Sequence, residues 1–214
     1  MRGSHIRSHY GEFVTVDPVL EAYTNRASEY IDVVGKMEHA AAIDRNYLLA
    51  WAQSVRGRLL DVGSGPGQWT NYLHEAGVDV EGVEPVDAFI NDARARYPLA
   101  RFCSGRAEQL DVPRGSLGGI LAWFSLIHLE PGSIDAPLEE FARCIRPGGS
   151  VAIGFFDGVA GEPFDHAVAR AFYWSVDALT NRLERAGFTV TDARTRHDEG
   201  VRRQGVIVAS RNPL

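Results

Sequence analysis

Hydrophobic positions along this chain switch repeatedly between two periods. Leu59, Leu60 and Val62 make a short apolar run, as an interior parallel strand requires when both of its faces are buried. Asp61 arrives where that strand ends, and the glycine-dense turn Gly63-Ser64-Gly65-Pro66-Gly67 follows. The pattern therefore predicts a strand over 58–62 and, where the spacing turns helical, a helix over 68–75. The alternation continues with a strand over 78–83 and a helix over 86–97 that Pro98 ends. A short third strand is expected at 101–103, a fourth at 119–124 with its helix at 134–144, and a fifth at 150–156 after a turn made by Pro147, Gly148 and Gly149. Ser175 opens a further helix, with Asp177 in its first turn and Gly187 as its stop. Two strands, 188–195 and 204–210, then pair as a hairpin across the polar segment 197–203. Upstream, 18–30 and 33–55 suit helices that would cover the sheet.

The turn after the first strand carries the chemistry. Glycines there let the backbone bend tightly and approach a ligand at distances a Cβ would prevent. Free N–H groups of the following helix face the same crevice. Glu84 ends the second apolar run, where an acidic side chain in an open α/β sheet can accept both hydroxyls of a ribose. A dinucleotide fingerprint needs a third glycine at the position of Gln68, and no Gly-Lys-Ser/Thr follows to make a triphosphate loop.

DVGSGPG followed by a strand-end Glu84 resembles the first two motifs of the class I S-adenosylmethionine-dependent methyltransferases. The resemblance implies that S-adenosylmethionine is the cofactor, with Asp61 near its methionine part. It implies also that Gly63, Ser64, Gly65 and Gly67 pass beneath ribose and sulfonium, and that Glu84 and Pro85 bound the ribose. Glu108, in SGRAEQL, resembles the position that recognises the adenine amino group, with Ala107 supplying the backbone part; a solvent-facing glutamate is the competing assignment. Tyr23 and Tyr30 share a helical face, and YTNRASEY resembles a segment that folds over the cofactor in small-molecule relatives. A lid packed by aromatic stripes is the alternative for that pair.

Over about 58–211 the resemblance implies an α/β, Rossmann-like three-layer sandwich. Its seven-stranded, mostly parallel sheet would have the order 3-2-1-4-5-7-6, with the C-terminal hairpin antiparallel, beneath an N-terminal helical cover. LAWFSLIHLEP, together with RPGG and FFDG, looks most like bacterial methyltransferases of the UbiE and tellurite-resistance type. In the family this fourth-strand region lines the site beside the transferred methyl, which gives Trp123 and Phe124 to the cofactor side. His128 lies just beyond the carboxyl end of the strand and is the candidate base, the other reading being a helix cap or a loop hydrogen bond. The insertion FFDGVAGEPFDHAVARAFYWS offers His166 as a second catalytic candidate and Phe164, Phe172, Tyr173 and Trp174 as an acceptor wall, or equally as core. No metal is implied.

The chain has 214 residues and a formal net charge of -6, which suits one domain and argues against a general nucleic-acid binder. Cys103 and Cys144 belong to no CxxC or Cys/His cluster, and Lys36 is the only lysine. No apolar run reaches the length of a membrane span, and the start lacks the apolar core of a secretion signal, so a cytoplasmic protein is expected. MRGSH resembles an expression leader, giving 1–9 as leader and 10–214 as one domain with its cover at 10–57 and core at 58–211. The reading that results is methyl transfer to oxygen or nitrogen of a small-molecule acceptor. Its rivals are an RNA-modifying enzyme of the same fold, a noncatalytic cofactor-binding protein, and a nicotinamide-dependent oxidoreductase that Gln68 disfavours. Oligomeric state is open.

Overall fold

The computed structural model describes residues 17–213, so the expected leader at 1–9 and the first part of the cover lie outside the described residues. Parallel pairing joins β1 (Leu59–Val62) to β2 (Val80–Glu84) and β4 (Leu117–Trp123), β2 to β3 (Arg101–Ser104), and β4 to β5 (Ile145–Phe156). The closing hairpin is β8 (Phe188–Arg196) and β9 (Gln204–Arg211), which adds to β5 antiparallel through β9. The sheet order β3-β2-β1-β4-β5-β9-β8 is the expected one. Between β5 and β8 a two-stranded ribbon, β6 (Pro163–Asp165) and β7 (Arg170–Phe172), occupies the insertion.

Strand alternation divides the core between the two sheet faces. Leu60, Ile120, Ala122, Val151 and Ile153 pack on one side with Leu138 and Phe141 of α6 (Asp135–Cys144) and Leu179 and Leu183 of α7 (Val176–Arg185). Leu59, Leu121 and Ala152 pack on the other with Leu48 and Trp51 of α3 (Ala42–Ser54) and Trp69 and Leu73 of α4 (Gln68–Glu75). The helix α5 (Asp87–Arg96) links β2 to β3. Ser175 caps α7, its side chain accepting from the Ala178 N–H, and Gly187 follows the helix at φ +87°. Among the described residues no helix is long and apolar enough to cross a membrane.

Two expectations change. The cover is not two long helices: α1 (Pro18–Asn25) and α2 (Ala27–Val34) are separated at Arg26 (φ −115°, ψ 15°), and a 3₁₀ turn at Met37–His39 precedes α3. Arg26 is no helix breaker; its guanidinium bonds Glu29 and the Ala167 carbonyl of the β6–β7 turn, a partner that local sequence cannot reveal. Pro147, Gly148 and Gly149 do not end a turn before β5 but lie within it, where the register against β4 shifts. A Cβ on Gly149 would stand 2.6 Å from the Gly118 carbonyl oxygen, so the strands approach there only because that residue has none.

Candidate active site

A cavity of about 820 Å³ runs along the carboxyl ends of the parallel strands. Its first half is built by the turn after β1. Gly63 and Ser64 donate their N–H groups to the Val83 carbonyl, at 2.7 and 3.2 Å, which ties the turn to β2. A Cβ on Gly63 would overlap that of Ser125, so this glycine lets the turn close on the loop after β4. Gly65 sits at φ +53° with nothing within 4 Å of a Cβ position, on the cavity wall. Gly67 has a different task. It caps α4 at φ +83°, and a Cβ there would press on Phe102 at 2.7 Å and Ala93 at 2.8 Å.

Two buried carboxylates stand beneath the turn. Asp61 accepts from Thr70 Oγ1 at 2.7 Å, and burial pushes its pKa up to about 6. Glu84 is 5% exposed; one oxygen accepts from Gly65 N–H at 2.8 Å and the other from Val86 N–H at 2.9 Å. Burial, with a smaller contribution from the Asp61 charge, raises the Glu84 pKa to about 7. An ionised carboxylate has about four acceptor sites, so each oxygen keeps capacity for a hydroxyl. Pro85, Ala107 and Glu108 line the same half, and Arg106 pairs with Asp17 at the start of α1. Ser64 Oγ, Gln68 Oε1 and Ser125 Oγ are buried without hydrogen-bond partners, all in residues of the cavity wall. The open glycine cradle at Gly65, beside a carboxylate with acceptor capacity to spare, fits a polar ligand that brings hydroxyl groups.

The second half begins where β4 delivers Trp123 and Phe124, the latter at φ +53° and the one non-glycine residue with positive φ among the described residues. Phe124 N–H donates to the Gly154 carbonyl at 3.2 Å, and the backbone turns there into the segment that bears His128. His128 lies between two partners. Its Nδ1 is 2.7 Å from the Arg170 carbonyl, which can only accept, so Nδ1 carries the proton. Nε2 therefore accepts from the Tyr23 hydroxyl at 2.8 Å. Burial lowers the pKa of His128 and, with the neighbouring His128 and Arg202, takes that of His166 down to about 4. Both imidazoles are neutral near pH 7.

The placement of Tyr23 links the two halves. Its ring meets Tyr30 at 5.2 Å and Phe89 at 5.9 Å, while its hydroxyl reaches the His128 nitrogen. The aromatic residues of the insertion are for the most part not on the cavity wall, as the core alternative had it. Of the insertion's candidates only His166 lines the cavity: Phe172 (5% exposed) and Trp174 (3%) are core, and Phe164 packs on Tyr173 at 4.4 Å. Alternation along β7 and its continuation turns those apolar residues inward. Phe156 at the end of β5 takes their place, a residue that the paired phenylalanines of FFDG could have signalled.

Residues 59–149 match the family model described as a methyltransferase domain. An uncharacterised methyltransferase of Mycobacterium tuberculosis is 31% identical over 45% of this chain and 38% of its own length. A bifunctional biotin-biosynthesis protein of Cellvibrio japonicus is also 31% identical, over 63% of this chain and 26% of its own. The chain thus spans well under half the length of these curated relatives. Among solved structures, a Burkholderia thailandensis 1,6-didemethyltoxoflavin-N1-methyltransferase with bound 1,6-didemethyltoxoflavin and S-adenosylhomocysteine superposes with a TM-score of 0.72. That match has 20% identity and covers 98% of this chain and 95% of the other. The sheet order and this superposition give the described residues the fold of that methyltransferase structure, and the match to the methyltransferase-domain model lies within it, over residues 59–149.

Proposed function

We propose that this protein is an S-adenosylmethionine-dependent methyltransferase acting on oxygen or nitrogen of a small molecule. The observation that carries the reading is one cavity joining the glycine turn and Glu84 to the Tyr23–His128 pair. Within the family, LAWFSLIHLEP, RPGG and FFDG favour the UbiE and tellurite-resistance type. The Burkholderia relative supports a small-molecule acceptor, since it carries one in its structure.

Bound at the turn, the cofactor supplies a methyl group on a sulfonium, whose leaving group is a neutral thioether and needs no acid. Glu84 would hold the ribose hydroxyls, Gly65 would leave room beneath them, and Ala107 with Glu108 would meet the adenine. On the acceptor side the Arg170 carbonyl fixes the His128 tautomer, so that Nε2 is the basic atom. A proton leaving the acceptor's O–H or N–H passes to the Tyr23 oxygen as the Tyr23 proton passes to His128 Nε2. Tyr23 ends neutral and the imidazole carries the charge. Alignment of the two partners is the larger effect, worth on the order of 7 to 11 kcal/mol in favourable intramolecular models.

Calorimetric titration with S-adenosylmethionine, S-adenosylhomocysteine and NAD tests the donor. Binding of both sulfur compounds with no comparable binding of NAD is expected; NAD binding without either would end the reading. A screen of small-molecule acceptors with radiolabelled methyl donor then finds the product.

A further inference from the structure

Six rings surround the acceptor half of the cavity in an unbroken series. Trp123 meets Phe124 at 4.9 Å between centroids, Phe124 meets Phe156 at 4.9 Å, and Phe156 meets His166 at 6.2 Å. His166 then meets His128 at 5.1 Å, and His128 meets Tyr23 at 5.4 Å. Interplanar angles from 50° to 81° mean that the rings do not stack on one another but stand as successive walls. All six line the cavity.

Among the described residues, the charged side chains near this enclosure are paired or turned toward solvent. Arg202, beside His166, is exposed, donates to the Asp165 carbonyl at 2.9 Å and lies over the Phe164 ring at 4.6 Å, outside the cavity wall. Arg196 on the cavity wall is held by both oxygens of Asp44, at 3.0 Å each, and by Asp198 at 2.7 Å. Arg106 is paired with Asp17 at 2.7 Å beside Ala107 and Glu108. Lys36 follows Gly35, whose carbonyl accepts from Arg96; Arg96 also bonds the Pro66 carbonyl, which puts that segment over the glycine turn. Glu130, the nearest carboxylate in sequence to His128, is exposed. An anion entering the ring series would lose its water for no counter-charge. A protonated amine would lack the lone pair needed for attack, and neither neutral imidazole would hold its charge.

Resting on the methyltransferase reading, we propose that the acceptor is a flat, uncharged molecule, seated between Phe124, Phe156 and His166, whose reacting O–H or N–H donates to the Tyr23 oxygen. That oxygen gives its own hydrogen to His128 and so keeps its lone pairs for the acceptor. Flatness follows from walls of rings, which offer faces and edges to an aromatic guest.

Naphthol, naphthoate and naphthylmethylammonium share one ring system and differ in charge, so they isolate the point. Each is titrated calorimetrically into the protein saturated with S-adenosylhomocysteine. Naphthol is expected to bind about tenfold or more tightly than either charged analogue, because an unpaired buried charge is costly. Phe156→Ala, or Phe156→Leu should the alanine variant fail to fold, is expected to weaken naphthol and leave S-adenosylhomocysteine unaffected. Equal or tighter binding of a charged analogue, no binding of naphthol, or an unchanged naphthol affinity in the Phe156 variant overturns the proposal. Failure of S-adenosylhomocysteine itself to bind would instead overturn the methyltransferase reading. The same three titrations on the cofactor-free protein would then still decide between neutral and charged occupants.

Discussion

Glu84 is a buried carboxylate that serves the fold and, on the proposed function, the ligand as well. Its two oxygens already hold the Gly65 and Val86 N–H groups, so the side chain is oriented before any ribose arrives. Glu84→Gln is expected to weaken S-adenosylhomocysteine binding by about 1.5 to 3 kcal/mol, the range for a hydrogen bond to a charged group, measured by calorimetry. Because burial raises the pKa of Glu84 to about 7, wild-type affinity is expected to fall as pH drops through that value toward the affinity of the variant, which should not vary with pH there. The glycines divide by a different test. Gly65→Val is expected to keep a folded circular-dichroism spectrum at some cost in stability, because a β-branched residue is strained at φ +53°, and to abolish cofactor binding, since its side chain would fill open cavity. Gly63→Ala is expected to lower stability in urea by about 1 to 3 kcal/mol, for it strains a left-handed residue and collides with Ser125. Normal affinity in folded Gly65→Val would remove Gly65 from the site. His128→Ala is expected to keep cofactor affinity and lower single-turnover methylation by about 10²-fold, the lower range for general-base catalysis. Turnover equal to wild type would exclude that role.

Element boundaries were legible wherever a local rule sets them. Ser175 and Gly187 bound α7 because a side-chain cap and a left-handed glycine act within a single turn. Ser175→Ala is accordingly expected to cost about 1 kcal/mol in urea unfolding. Boundaries set by remote partners were not legible. The division of α1 from α2 falls at Arg26, whose side chain reaches the β6–β7 turn, and at the start of β5, where the register shifts, Gly149 passes close to Gly118. The ribbon is the clearest case. Phe164, Phe172, Tyr173 and Trp174 are contiguous enough to suggest one wall, but extended backbone sends neighbours to opposite sides, so Phe172 and Trp174 face the core. What the ribbon gives the site is His166 and the Arg170 carbonyl.

At the scale of the whole molecule, the buried titratable groups pull stability in opposite directions with pH. Glu84 goes from 4.5 to about 7 on folding, so the folded state holds the extra proton between those values and stability falls as pH rises through them. His166 goes from 6.5 to about 4, so the unfolded state holds the extra proton and stability rises with pH over that interval. Thermal midpoints measured across this window should show wild type losing ground with rising pH relative to Glu84→Gln and gaining ground relative to His166→Gln. A difference of constant size in either pair would show that the group titrates alike in both states.

The amino-acid sequence by itself determined the strands and the glycine turn after β1, while the sheet order came from the resemblance to a known family and is the observed one. A strand buried on both faces must be written as an apolar run, and a backbone that bends under a ligand must be written as glycine, so both leave marks within a few residues. Only the tertiary structure decided which side chains meet at the other end of the cavity. Tyr23 and His128 are 105 positions apart, and their bond exists because α1 folds over the carboxyl edge of the sheet. The proton on His128 is fixed by a backbone carbonyl, which every residue possesses and no side-chain pattern reveals. Which aromatics line the cavity and which fill the core was likewise settled by packing, since burial favours the same residue types in both places.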